Sequence, residues 1–139
     1  MTLRRNAFLR ILQFELNRAA RYNFLASVVL FRLGPGTVRG AAGELVQALG
    51  KTTRSTDVLG SLGSGLIALI VPHADQQAAS RLLTRLGLDS LVEAFIQRTG
   101  AQIQSGFSVY PTDATTLSGL LSVAFERLEP KYAPQAPNV

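Results

Sequence analysis

The sequence predicts an α/β (α+β) domain in which helices are laid on one face of a mixed or antiparallel sheet. Two observations carry this. Apolar residues recur at the helical period in four separate stretches, and between those stretches lie short β-branched or alternating runs bounded by glycine and proline. A chain of 139 residues is enough for one well-buried domain and too short for two. With 47% hydrophobic and 17% charged residues, the composition argues against a disordered or extended acidic chain.

The first helix is predicted over residues 3–21, with Leu9, Leu12, Leu16 and Ala20 on one stripe and Phe8 and Ala19 beside it. Arg4, Arg5, Arg18 and Arg21 fall mainly off that stripe. A basic amphipathic helix of this kind can lead into the domain and pair with a second copy, lie on a membrane, or pack on its own sheet. The run Leu25 to Phe31 reads as a buried central strand, stopped by Gly34-Pro35-Gly36. Helical spacing resumes from Gly40 to Leu49 and ends at Gly50. Asp57 to Leu62 and Leu66 to Val71 flank Gly63-Ser64-Gly65, the pattern of two strands joined by a tight glycine turn, and Pro72 closes the second.

Asp75 is a candidate cap for a helix from Gln76 to Leu86, which Gly87 ends. Residues 89–98 fit either a helix or an extended segment. From Gln102 to Tyr110, Ile103, Phe107 and Val109 alternate as in a strand, and a helix is predicted from about Ala114 to Leu128 with Asp113 as its cap. The residues from Pro130 onward read as a loose end. Helix, strand, helix, strand, strand, helix, strand, helix is the broad arrangement of a ferredoxin-like domain. The organisation expected is a leading amphipathic helix (1–21), one domain (22–129) and a flexible tail (130–139).

Several function classes are excluded by composition. The absence of cysteine rules out a disulfide framework, a thiolate nucleophile and a cysteine-based zinc site. No apolar run reaches the roughly 18 residues that a membrane span needs. Arg10, Glu15 and Arg18 interrupt what would have to be the apolar part of a signal peptide, so a cytoplasmic location is expected. The net charge of +5 is uneven: residues 1–60 carry nine Arg or Lys against three acids, and residues 61–139 five against six. A basic half can attract phosphates, nucleic acid or an anionic surface, or simply keep the domain soluble or face an acidic partner, and charge alone specifies none of them. The strands lack the exposed aromatic clusters that sheet-type nucleic-acid binders use for stacking, so no nucleic-acid partner is expected and nucleic-acid binding stands as the minor alternative. His73, the one histidine, is expected in a surface or capping role.

Arg54-x-x-Asp57, the Gly63-Ser64-Gly65 hairpin and the Tyr110-Pro111-x-Asp113 turn stand in an order and spacing that, from about Phe14 to Leu128, resemble the GGDEF family, the diguanylate cyclase domain of bacterial cyclic di-GMP signalling. Asn17-Arg18-Ala19-Ala20-Arg21-Tyr22 resembles the helix end that leads into the first strand, and Arg54-Ser55-Thr56-Asp57 matches an RxxD motif. After five intervening residues, Gly63-Ser64-Gly65-Leu66-Ile67 stands at the place of the GGDEF signature, and Ser105 to Asp113 resembles the late strand and Tyr-Pro-x-Asp turn. The resemblance implies a nucleotide-cyclase-like sheet, a shortened GGDEF fold. Cyclases of this family hold two magnesium ions with carboxylates at the end of the first strand and in the signature. Here Arg32, Gly65 and Leu66 stand at those positions, and a guanidinium offers only donors.

The stretch Gly34 to Gly43 is shorter than the family segment that recognises guanine. Glu44 and Asp57 are the nearby carboxylates, and neither stands in a metal-ligand position. The sequence is therefore read as a degenerate, noncatalytic relative with no metal or cofactor. The resemblance further implies an inhibitory-type site for cyclic di-GMP, with Arg54 and Asp57 as its RxxD pair, Arg85 as the secondary arginine and Arg81 one turn before it. The alternative reading makes the same residues structural. Asp57 would receive backbone donors, Arg54 would pair with it, and Arg81 and Arg85 would be a solvated helix face. The expected role is a signalling or scaffold domain acting through protein contacts, as a dimer or with another protein, with or without cyclic di-GMP; the alternative is a dedicated receptor for that nucleotide.

Overall fold

The computed structural model describes residues 2–34 and 40–132. In chain order the elements are β1 (Thr2–Leu3), α1 (Arg5–Tyr22), β2 (Ala26–Leu33), α2 (Ala41–Thr52), β3 (Val58–Gly63), β4 (Leu66–Pro72), α3 (Gln76–Gly87), α4 (Ser90–Thr99), β5 (Ile103–Tyr110), α5 (Leu117–Glu126) and β6 (Glu129–Tyr132). Among the described residues the strands form one sheet in the order β1-β3-β4-β2-β5-β6. β2 lies at the centre of the sheet, as its apolar run predicts, and runs antiparallel to both of its neighbours, β4 and β5.

The sheet is covered on both faces, not on one as the order of elements predicts. Val29 and Phe31 point into a core with Leu45, Leu49, Leu86 and Phe95 from α2, α3 and α4. Val28 and Leu30 point into a second core with Phe8, Leu12, Leu16, Leu120 and Ala124 from α1 and α5. The cause is already present in β2, where six successive residues from Ala26 to Phe31 are buried. A strand without polar alternation leaves an apolar surface on each side, and each side needs a cover.

The apolar stripe of α1 is spent inside this second core, so the helix packs on its own sheet. Phe8 and Leu12 are fully buried, and Leu16 and Ala19 nearly so. Residues 1–21 are therefore not a separable lead-in, and the stripe read from sequence is not the surface that meets a partner. The contact is close enough to dictate a residue elsewhere: a Cβ at Gly60 in β3 would overlap the Phe8 ring.

Local chemistry sets the connections. Ser64 (φ 54°) and Gly65 (φ 74°) form the two-residue turn between β3 and β4, with a bulge between Ser61 and Gly63 ahead of it. The ambiguous segment 89–98 is helical, and the Asp89 carboxylate accepts the backbone N–H groups of Leu91 and Val92 at its start. Asp75 caps α3 as predicted, accepting from the Ala78 N–H at 2.8 Å. Two expectations are corrected. Thr116, not Asp113, caps α5, through its hydroxyl and the Gly119 N–H. The loose end expected from Pro130 begins instead as β6, paired antiparallel with β5; residues 133–139 lie outside the described residues.

Candidate functional site

α3 buries Ala79, Leu82, Leu83 and Leu86 against the sheet, so the positions between them, Arg81 and Arg85, project from its exposed face one turn apart. The turn ahead of β3 faces them. There the Arg54 N–H donates to Asp57 Oδ2 at 2.9 Å and the Asp57 N–H donates to the Arg54 carbonyl at 3.0 Å, so Arg-Ser-Thr-Asp closes on itself. Arg54, Asp57, Arg81 and Arg85 together line one groove of about 740 Å³ between this turn, the end of β4 and α3. All four sequence-predicted ligand residues therefore share one site.

The groove's charge is unbalanced. The guanidinium groups of Arg54, Arg81 and Arg85 have no hydrogen-bond or ion-pair partner among the described residues, and the single carboxylate between them, Asp57, is engaged by the Arg54 backbone N–H. The backbone bond to Asp57 matches the structural reading of that residue, whereas the Arg54–Asp57 ion pair that reading also expected does not form. Three guanidiniums facing one groove favour an anion, and their mutual repulsion is weak while all are solvated.

Sequence reasoning missed other groove residues. His73, placed in a surface role, is exposed as expected and also lines the groove, with its ring 4.1 Å from that of Phe24. Thr56 and Leu88 line it as well. Nothing in their spacing signals this, because the loop after β4 and the end of α3 meet the RxxD turn only through the fold.

The signature region is arranged differently. Arg32 and Leu66 are cross-strand partners of β2 and β4, so the two positions where the resemblance places carboxylates are adjacent in space. Arg32 Nε donates to Gln104 Oε1 at 2.7 Å, and its guanidinium lies 5.2 Å from the centre of the Phe125 ring. Gly63, Ser64 and Gly65 shape the turn, and Leu66 and Ile67 enter β4, with Ile67 in the core. Among the described residues no group of three or more His, Asp or Glu is placed to hold a metal ion, and Arg32 with Gly65 and Leu66 does not fit one. Glu44 is held by Arg98 at 2.8 Å. Residues 35–39 of the shortened segment after Arg32 lie outside the described residues.

A polar clasp that the sequence did not suggest joins the Tyr-Pro-x-Asp turn to the end of α5. Arg127 donates to both carboxylate oxygens of Asp113, at 2.9 and 3.0 Å, and also to the Phe107 carbonyl; Asp113 in turn accepts from the Val109 N–H. The Arg127 hydrogen bonds hold the Asp113 carboxyl below its ordinary range, and Asp113 raises Arg127. A depressed carboxylate pKa contributes stability that is present above the unfolded value of about 4 and is lost as pH falls through the folded value. Asp113→Asn is therefore expected to cost about 1 kcal/mol at neutral pH. Urea titrations should show the deficit shrinking in acid, and a deficit constant with pH would separate the clasp from carboxylate charge.

No family model matches this sequence, and no curated protein sequence matches it. Solved structures do. The GGDEF domain of PA1120 (YfiN or TpbB) from Pseudomonas aeruginosa superposes with a TM-score of 0.72 at 17% identity, covering 97% of this chain and 98% of that one. A DGC protein from Thermotoga maritima gives 0.71 at 16% identity over 93% and 97% of the two chains. The coiled coil and GGDEF domain of DgcB from Caulobacter crescentus, in complex with c-di-GMP, gives 0.71 at 11% identity over 90% and 73%. The chain thus superposes on known GGDEF domains over nearly its whole length: the protein has the GGDEF-domain fold.

Proposed function

We propose that this domain is a noncatalytic signalling module whose RxxD groove takes cyclic di-GMP and whose output is a change in protein contacts. The observation that carries this reading is the convergence of Arg54, Asp57, Arg81 and Arg85 on one groove. The chemistry suits a guanine-containing phosphodiester. Guanidiniums grip phosphate bidentately and stack on the base plane, while a carboxylate accepts from the guanine N–H edge. DgcB, which shares the fold, was solved in complex with c-di-GMP. The noncatalytic part is supported by Arg32 and Leu66, which put a cation and an alkyl chain where a magnesium pair would need carboxylates.

The second reading, a dedicated receptor, uses the same groove and differs only in making ligand occupancy the whole task. Titration with cyclic di-GMP by calorimetry and equilibrium dialysis tests the shared part. Saturable binding is expected, weakened about tenfold or more by each of Arg54→Ala, Arg81→Ala and Arg85→Ala. No binding by either method overturns the ligand assignment. Incubation with GTP and magnesium is expected to yield no cyclic product, and product formation would overturn the noncatalytic one. Crosslinking with and without the nucleotide then separates the two readings by whether occupancy alters a protein contact.

A further inference from the structure

Burial of the main apolar stripe of α1 leaves a second, different stripe in solvent. At about 100° per residue, Arg10, Phe14, Arg18, Arg21, Ile11 and Tyr22 fall within roughly a third of the helix circumference, turned away from the buried Phe8, Leu12, Leu16 and Ala19. Phe14 is 58% exposed, Tyr22 63% and Ile11 36%. These are three of the seven large exposed apolar side chains among the described residues.

The charges between them have one sign. Glu15 is the helix's only acid, and it is buried and bound to Arg18 at 3.0 Å. Arg21 lies 5.5 Å from the centre of the Tyr22 ring, and Arg10 has no partner among the described residues. The exposed stripe therefore interleaves aromatic and aliphatic groups with guanidiniums and offers no exposed carboxylate.

We propose that this stripe seats the domain on an anionic lipid surface. Charge complementarity selects the occupant. A second copy docked through the same stripe would set arginines against arginines with no acid to separate them. A sheet of anionic headgroups instead supplies phosphates to Arg10 and Arg21 while Phe14, Tyr22 and Ile11 enter the acyl boundary. Ile11 gains nothing from base stacking, which disfavours a nucleic acid. No helix among the described residues is long and apolar enough to cross a membrane, so the contact is peripheral. α1 is already ordered on the sheet, so docking carries little folding cost. Arg81 and Arg85 stand on α3, on the opposite face of the sheet, so a domain seated through α1 leaves those two guanidiniums facing solution.

The test is sedimentation of the full chain with vesicles of phosphatidylcholine alone and of phosphatidylcholine with phosphatidylglycerol. Binding is expected only with the anionic lipid and is expected to weaken with salt. Arg10→Glu with Arg21→Glu should lower it by about tenfold or more, and Phe14→Ala with Tyr22→Ala by about fivefold or more. Lys51→Glu with Arg98→Glu, on the other face, makes the same change in net charge and should leave most of the binding intact. Thermal unfolding of each variant verifies that it is folded. No partition onto anionic vesicles overturns the proposal, as does an equal loss in the Lys51/Arg98 variant. Binding to single-stranded or duplex nucleic acid, or self-association abolished by Phe14→Ala, in the absence of vesicle binding would assign the stripe to that occupant instead.

Discussion

Gly106→Ala is expected to destabilise the domain by about 3 kcal/mol, enough to unfold a marginal protein. Gly106 sits in the middle of β5, where α5 crosses closest to the sheet. A methyl group there would stand 2.5 Å from the Ala124 carbonyl oxygen and 2.7 and 2.8 Å from the Arg127 carbonyl carbon and oxygen. These are backbone atoms at the end of α5, so no rotamer change relieves the overlap. The end of the helix has to lift, and the Arg127 clasp on Asp113 and the Ser108 hydroxyl bond to the Leu120 carbonyl lift with it. Gly43→Ala is the matched control. It lies in α2 with nothing within 4 Å of the added carbon, so the same change there is expected to stabilise by about 0.5 to 1 kcal/mol. Urea unfolding of the two variants reads both. Equal stability would mean that α5 does not approach β5 as closely as described.

Phe8→Ala is expected to cost about 3 to 5 kcal/mol. The ring is fully buried in the core beneath α1, and Gly60 is the residue that leaves room for it. Truncation leaves a cavity between α1 and β3 that neither element can close without breaking the β1–β3 pairing beside it. The loss should appear in the denaturation midpoint, with the proposed nucleotide binding retained in whatever fraction stays folded, because Arg81 and Arg85 are carried by α3 on the other face of the sheet. Removal of residues 1–21 is expected to be worse, since it strips Phe8, Leu12, Leu16 and Ala19 together and exposes Val28, Leu30, Ala68 and Ile70 to water. A truncated chain that remained folded would show that α1 is an appendage after all.

Much of the local structure was legible because it depends on neighbours in sequence. The Gly63-Ser64-Gly65 turn, the Asp75 cap and the central strand after Leu25 each follow from backbone conformations that few residues permit or from an unbroken apolar run. The four candidate ligand residues were also legible, through the RxxD spacing and the helical repeat that turns Arg81 and Arg85 outward together. Asp113 shows the limit of such reading. A carboxylate ahead of a helix is an ordinary cap, and only the approach of Arg127 from the far end of α5 draws it away and leaves the cap to Thr116. β6 shows it again, since Glu129–Tyr132 has little strand character by itself and becomes a strand because β5 offers it an unpaired edge.

Residue identity and short-range backbone preference were enough to set four of the five helices and four of the six strands in their order, the glycine hairpin and the absence of carboxylates from the signature positions. Packing over long range settled the rest: β1, α4 and β6, helices on both faces, α1 in the core with a second, cationic and aromatic stripe outward, and Arg54 and Asp57 beside Arg81 and Arg85. Those are long-range outcomes, set by which apolar surfaces can be buried together at once, and no local periodicity encodes which partner each surface finds.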